Sequence, residues 1–279
     1  MLGIAFTQYN ESFRKYHKQV LSILKELGFG VERVTETRIL QEVETMHEKL
    51  LKLDGRPINP KWSVTFASAN VVISILFGKN FEQNLPKYHS HVIENASDCL
   101  ENFDLAVNMA PAIRFLPAFR KKMTLLQSSS EKLLKAIEAG IDMIKSENSE
   151  PSFIGRFLEI EGANYNHQDL LFMLRDLCLG GTETVSSTLQ FALVELANHP
   201  EVQDRFQKEL DEMVPGDRLP SLDDKPRLIY TEALILEIMR RHMVAPFFVL
   251  HGTLKDAKLL EYDIPQGCIV STHWTVIFM

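Results

Sequence analysis

Cysteine is scarce in this chain. Its 279 residues hold three, Cys99, Cys178 and Cys268, widely separated and without a Cys-x-x-Cys pair. That set argues against a disulfide framework or a zinc ribbon and fits a reducing compartment. Long apolar runs are missing too. No stretch reaches 18 consecutive apolar residues, so no transmembrane segment is expected. The opening Met1-Leu2-Gly3-Ile4-Ala5-Phe6 has neither the length nor the basic flank of a secretory leader. The chain is therefore expected to be cytoplasmic or peripheral to a membrane. A basic excess is absent as well: 30 Lys and Arg stand against 37 Asp and Glu, a net charge of -7. Without a basic footprint, no nucleic acid partner is expected. His89-Ser90-His91 would turn its imidazoles to different faces of a helix, and no metal site is expected there.

What is present is ordinary globular composition, 45% hydrophobic and 24% charged, with helical period along most of the chain. Helices are expected over residues 10–26, 34–53, from 59–60 to 77, 85–109 and 123–146, with prolines breaking the pattern at 110–117 and a loop at 146–152. From Asn166 to His199 the period never breaks. Asn166 and Asp169 form a capping pair, and Pro200 ends the run. Such a helix is on the order of 45 Å long and could cross a domain. Further helices are expected at 200–213 and 229–242, and strands only at 247–250 and 268–271. The reading is a mainly α fold, one domain over residues 1–279, with a long central helix and a small, incomplete β part near the C-terminus.

Two groups of residues carry candidate chemistry. Gly180-Gly181-Thr182-Glu183-Thr184 lies inside the long helix. Each glycine there costs about 1 kcal/mol against alanine, so the pair needs a reason. One is a softened kink, with Thr184 bonded back to the Gly180 carbonyl. The other is a groove that lets a flat group reach the backbone beside a hydroxyl and a carboxylate, a proton relay. The second group, Glu237-Ile238-Met239-Arg240, puts an acid and a base three residues apart on one helix face. The apolar flanks suit a buried structural pair; surface pairs at this spacing are also common.

The order of these pieces resembles the cytochrome P-450 family, in particular its microsomal animal type. Supporting segments are Ile75-Leu76-Phe77-Gly78-Lys79-Asn80-Phe81, His199-Pro200-Glu201-Val202-Gln203, Leu219-Pro220-Ser221-Leu222, Tyr230-Thr231-Glu232-Ala233 and Pro265-Gln266-Gly267. The resemblance implies a haem-dependent monooxygenase. Such an enzyme inserts one oxygen atom from O2 into an apolar organic substrate, with electrons from NADPH through a flavoprotein reductase. It implies that Gly180 and Gly181 lie against the haem, that Glu183 and Thr184 deliver protons, and that Glu237 and Arg240 are a structural pair turned inward behind the haem. It implies haem contacts for His251 and, on the first helix, for Phe13 and His17, where the family carries Trp and Arg. Phe172, Asp176, Val244 and Val249 match substrate-lining positions.

The same resemblance marks what has no counterpart here: the membrane anchor, the early strands and the glycine-flanked loop whose cysteine holds the iron. None of Cys99, Cys178 or Cys268 lies in such a loop, so no metal ligand is expected within these residues. The family's place is the cytoplasmic face of the endoplasmic reticulum membrane. A second reading of the same residues is a truncated, haem-free helical remnant without activity.

Overall fold

The computed structural model describes residues 3–5, 7–30, 33–103, 107, 111–146, 151–162, 165–214, 216, 218–246 and 250–272. Their contacts divide the chain into two compact units, Met1–Ser186 and Ser187–Met279, with the boundary inside the longest helix. The expected strand at 247–250 falls mostly outside the described residues, as does Val249.

The first unit is helical. α1 (Glu11–Glu26) starts where the Asn10 side chain accepts from the Phe13 N–H at 2.9 Å. Its Tyr16, Val20 and Ile23 recur at helical spacing and are buried. α2 (Arg33–Leu51) packs along α3 (Lys61–Phe77). α3 begins one residue later than the expected Asn-Pro start. Pro60 stands outside the helix, while the Asn59 side chain still accepts from the Lys61 N–H at 3.0 Å. After the short α4 (Phe81–Asn84), α5 (Pro86–Glu101) runs along α6 (Pro117–Ser146). α6 starts six residues before the expected position, since proline is tolerated in a first turn. A single 3-10 turn, Pro111–Phe115, precedes it.

α7 (Phe153–Glu161) has no counterpart among the expected elements. Nine residues are too few for a persistent period, yet Phe153, Ile154 and Phe157 share one buried face and the Ser152 hydroxyl accepts from the Gly155 N–H at 3.1 Å. The core gathers Ile73 and Phe77 of α3, Ile93 of α5, Ile137 and Ile141 of α6 and these α7 residues. Phe77 stacks on Phe81 at 4.5 Å, and α6 reaches them through Gly140, where a Cβ would stand 2.5 Å from the Phe77 ring. α8 (His167–Asn198) is the long helix, begun by the Asn166 side chain, which accepts from Gln168 N–H at 3.0 Å.

The second unit holds the end of α8 with α9 (Pro200–Met213), α10 (Ile229–Arg241) and four short strands. The Glu209 carboxylate of α9 caps α10 by accepting from the backbone N–H groups of Tyr230 (2.7 Å) and Thr231 (2.8 Å). Glu195 gathers His199, Arg241 and His242, and Phe191 stacks on His242 at 4.6 Å. Before α10, Asp224 is held far below the usual carboxylate range by the Arg218 guanidinium, with Ser221 and Arg227 adding to the effect.

β1 (His251–Gly252) pairs antiparallel with β4 (Ile269–Val270), and β2 (Ala257–Leu259) with β3 (Tyr262–Ile264). The second hairpin was not expected from the sequence. Its turn puts Leu260 at φ +54°, where an L side chain crowds its own carbonyl. Leu260→Asn should relieve about 1 kcal/mol of this and slow amide exchange across β2 and β3. Unchanged exchange would show that the turn does not limit the hairpin.

Candidate active site

The two glycines of α8 face different surroundings. A Cβ on Gly180 would meet nothing within 4 Å, whereas one on Gly181 would stand 2.7 Å from Val72 Cγ2 of α3. The expectation that both leave room for a flat group is therefore corrected: Gly181 is small because two helices approach there. Gly180 alone opens a face. Thr184 lies one turn on, exposed on that same side, and its hydroxyl donates to the Gly180 carbonyl at 2.8 Å. The back-bond is thus present, and the Gly180 backbone beside it faces open space. Glu183 is next along the helix, half-buried, and its Oε1 has no hydrogen-bond partner among the described residues.

One to two turns earlier, Asp176 departs from its expected substrate-lining role. Its carboxylate accepts from the backbone N–H groups of Ile4 (2.8 Å) and Ala5 (2.9 Å) and from Arg175 (2.6 Å). It is a buried clamp holding the segment before α1. Arg175 also stacks its guanidinium over Phe172, 4.9 Å from the ring centroid.

Arg175 and Leu179 line a cavity of about 430 Å³ with Cys99 of α5 and Met123, Leu126, Gln127, Ser130 and Glu131 of α6. These residues were missed from the sequence, although Met123, Leu126 and Ser130 recur at helical spacing. Nothing in the chain order tells which face of α6 meets α8.

Phe13 and His17 stack on one another at 5.3 Å on α1, with Phe13 half-buried and His17 exposed. In the second unit, His251 stands exposed on β1, opposite Val270, and Val244 is 38% exposed in the turn after α10.

Arg240 and Glu237 form the expected short pair, a two-pronged fork at 2.6 and 2.7 Å. It does not turn inward, however: the side chains are 43% and 50% exposed. Ile235, Leu236 and Met239 are exposed with it, while Ile238 takes the buried side of α10. Arg240 still depresses the Glu237 carboxyl and Glu237 raises the guanidinium. Water and salt screen such a pair. Arg240→Ala in this chain should leave the urea midpoint of the second unit nearly unchanged; a large drop would place the pair in a buried setting.

The sequence resemblance implies haem, and the side chains answer in two ways. The surface over Gly180, with the Thr184 hydroxyl beside it, fits the approach of a flat macrocycle. Among the described residues, Cys99 and Cys178 are buried free thiols. Burial pushes the Cys99 thiol up to about 11 and the Cys178 thiol up to about 12, so both stay protonated near neutrality. No cluster of His, Cys, Asp or Glu among the described residues can hold a metal.

Comparison with known proteins bears on the family and the fold. The family model "Cytochrome P450" matches residues 2–278. Cytochrome P450 2C25 of Mesocricetus auratus is 30% identical over 97% of this chain and 57% of its own length. Cytochrome P450 2C38 of Mus musculus is 30% identical over 99% of this chain and 58% of its own. A zebra fish cytochrome P450, solved with progesterone, superposes with a TM-score of 0.82 at 21% identity, over 99% of this chain and 64% of that one. The chain thus spans little more than half the length of the curated relatives it matches. With helix order, long-helix motif and family model in agreement over nearly every residue, the chain belongs to the cytochrome P450 family.

Proposed function

We propose that this chain forms the distal part of a haem-dependent monooxygenase acting on apolar organic molecules. The observation that carries the reading is the open, exposed surface of α8 over Gly180, with the Thr184 hydroxyl one turn away and bonded to the Gly180 carbonyl. Haem, when bound, supplies the redox chemistry that activates O2. Gly180 gives it room against the helix backbone, and Phe13 and His17 offer a ring and a hydrogen-bond donor to its edge.

The remaining work belongs to side chains. Thr184 Oγ holds a proton at the open surface and can turn from the Gly180 carbonyl to donate it. Glu183 restores that proton through solvent on the exposed side. The cavity bounded by Leu126, Leu179 and Met123 receives an apolar substrate, and Arg175, Gln127 and Ser130 supply polar contacts that orient it.

Electrons come from NADPH by way of a flavoprotein reductase. Within the cluster Arg14, Lys15 and Lys18 near the start of α1, Lys15 is engaged by Glu161 at 2.8 Å, and Arg14 and Lys18 are the contacts for an acidic partner. No helix among the described residues is long and apolar enough to cross a membrane. Peripheral attachment at the endoplasmic reticulum is supported by Phe115 and Leu116, 74% and 51% exposed, followed by Arg120, Lys121 and Lys122.

Thr184→Ala should divert reducing equivalents from product to peroxide in the reductase-coupled holoenzyme, and Thr184→Ser should restore coupling. Unchanged coupling in Thr184→Ala would remove the proton-holding role.

A further inference from the structure

The cavity of about 430 Å³ between α5, α6 and α8 is unevenly charged. α6 gives it two rows of side chains. Leu126 and Ser130, four apart, are half-buried, while Gln127 and Glu131 on the neighbouring row are exposed. Leu179 of α8 is half-buried and Cys99 of α5 buried. The depth of the cavity is thus mainly apolar, and its open mouth carries the polar groups.

Two charged residues line it, and one of them is already balanced. Arg175 donates from Nε and Nη2 to Asp176 Oδ1 at 3.0 and 2.6 Å. The Asp176 side chain is 1% exposed. Drawing Arg175 off to a ligand carboxylate would leave that buried anion short of its counter-ion. Glu131 has no ion pair or hydrogen bond among the described residues. Asp98 of α5, next to Cys99 in the chain, accepts from Ser129 Oγ of α6 at 3.4 Å and adds a second negative charge on that side. No lysine is among the described residues that line the cavity. The field at the mouth is therefore negative.

Such a mouth favours a cation. An ammonium group there meets Glu131 while keeping part of its water, and its apolar body enters between Leu126 and Leu179. A carboxylate in the same place faces a like charge, and a neutral alcohol gains no charge attraction. We propose that this site takes amphipathic amines, an apolar body carrying one ammonium group, with Glu131 as the residue that selects them; the proposal rests on the reading of this cavity as the substrate site.

Octylamine, octanol and octanoate, equal in chain length, serve as the probes, followed by equilibrium dialysis against the full chain at low salt. Octylamine should bind about two- to fivefold more tightly than octanol, the range of an exposed charge pair, with octanoate weakest. Added salt should shrink the difference. Glu131→Gln should bring octylamine level with octanol, and Glu131→Lys should put octanoate above octylamine. Ser130→Trp, which fills the cavity, should abolish binding of all three. Neither Glu131 nor Ser130 belongs to the buried core, so these variants keep the fold. Equal affinities that all vanish in Ser130→Trp would keep the cavity as a binding site and overturn the amine selectivity. An octylamine preference that survives Glu131→Gln would overturn the role of Glu131. No binding, or binding that survives Ser130→Trp, would remove the cavity reading and the proposal together.

Discussion

Asp176→Ala is expected to lower the unfolding free energy of the first unit by about 3–5 kcal/mol, the loss typical of breaking a buried charged pair from one side. The carboxylate is 1% exposed and Arg175 17%. Removing it takes the Asp176 carboxylate from the Arg175 guanidinium and leaves the Ile4 and Ala5 N–H groups without this acceptor. Gly3, at φ +91°, packs so closely on Asp176 that even a methyl group there would collide with the carboxylate. Residues 3–5 should therefore detach, and Arg175 should lose its orientation toward the cavity it lines. Asp176→Asn keeps an acceptor for the backbone and should lose less. Urea unfolding and amide exchange at Ile4 and Ala5 report both effects. Unchanged exchange at those two amides in Asp176→Ala would show that the clamp does not hold the segment.

The paired glycines give the second large effect, with opposite signs. Gly180→Ala should stabilise α8 by up to about 1 kcal/mol, since alanine is the better helix former and its Cβ meets open space. Gly181→Val should destabilise by about 1–3 kcal/mol, because the added carbons overlap Val72. Val72→Ala should recover much of that loss, since the two positions are in contact and non-additive. If Gly180→Ala and Gly181→Val moved stability in the same direction, the two glycines would not have the separate roles assigned to them.

The elements that were legible in the sequence are those with a cap and a long period. Asn10 opens α1, Asn166 opens α8 and Pro200 opens α9 within a residue of expectation. α7 and the β2–β3 hairpin were not legible. A nine-residue helix offers few turns of period, and Ala257–Leu259 is exposed throughout, so it shows no alternation. The site follows the same logic. Spacing along one helix gave the Glu237–Arg240 fork and the Thr184–Gly180 bond. What depends on a distant partner could not be read. Gly180 and Gly181 are alike in the sequence and differ only through Val72. Asp176 looked like one more residue of the α8 face because its partners lie 171 and 172 positions away. Exposure of the Glu237–Arg240 pair is likewise set by what packs on α10, which local apolar flanks do not determine.

The assignment of the Gly180–Thr184 surface as the haem face is tested most directly by ligand spectroscopy. Haem is added to the protein, reduced and exposed to carbon monoxide, and the Soret band is followed in the wild type, in Gly180→Phe and in the variant with Cys99, Cys178 and Cys268 all replaced by serine. The expected result is a carbon monoxide response in the wild type that survives the triple serine replacement and disappears in Gly180→Phe, whose ring would fill the open space on α8. A response unchanged in Gly180→Phe, or a thiolate-type red shift that vanishes in the triple serine variant, would put the haem elsewhere and contradict the assignment.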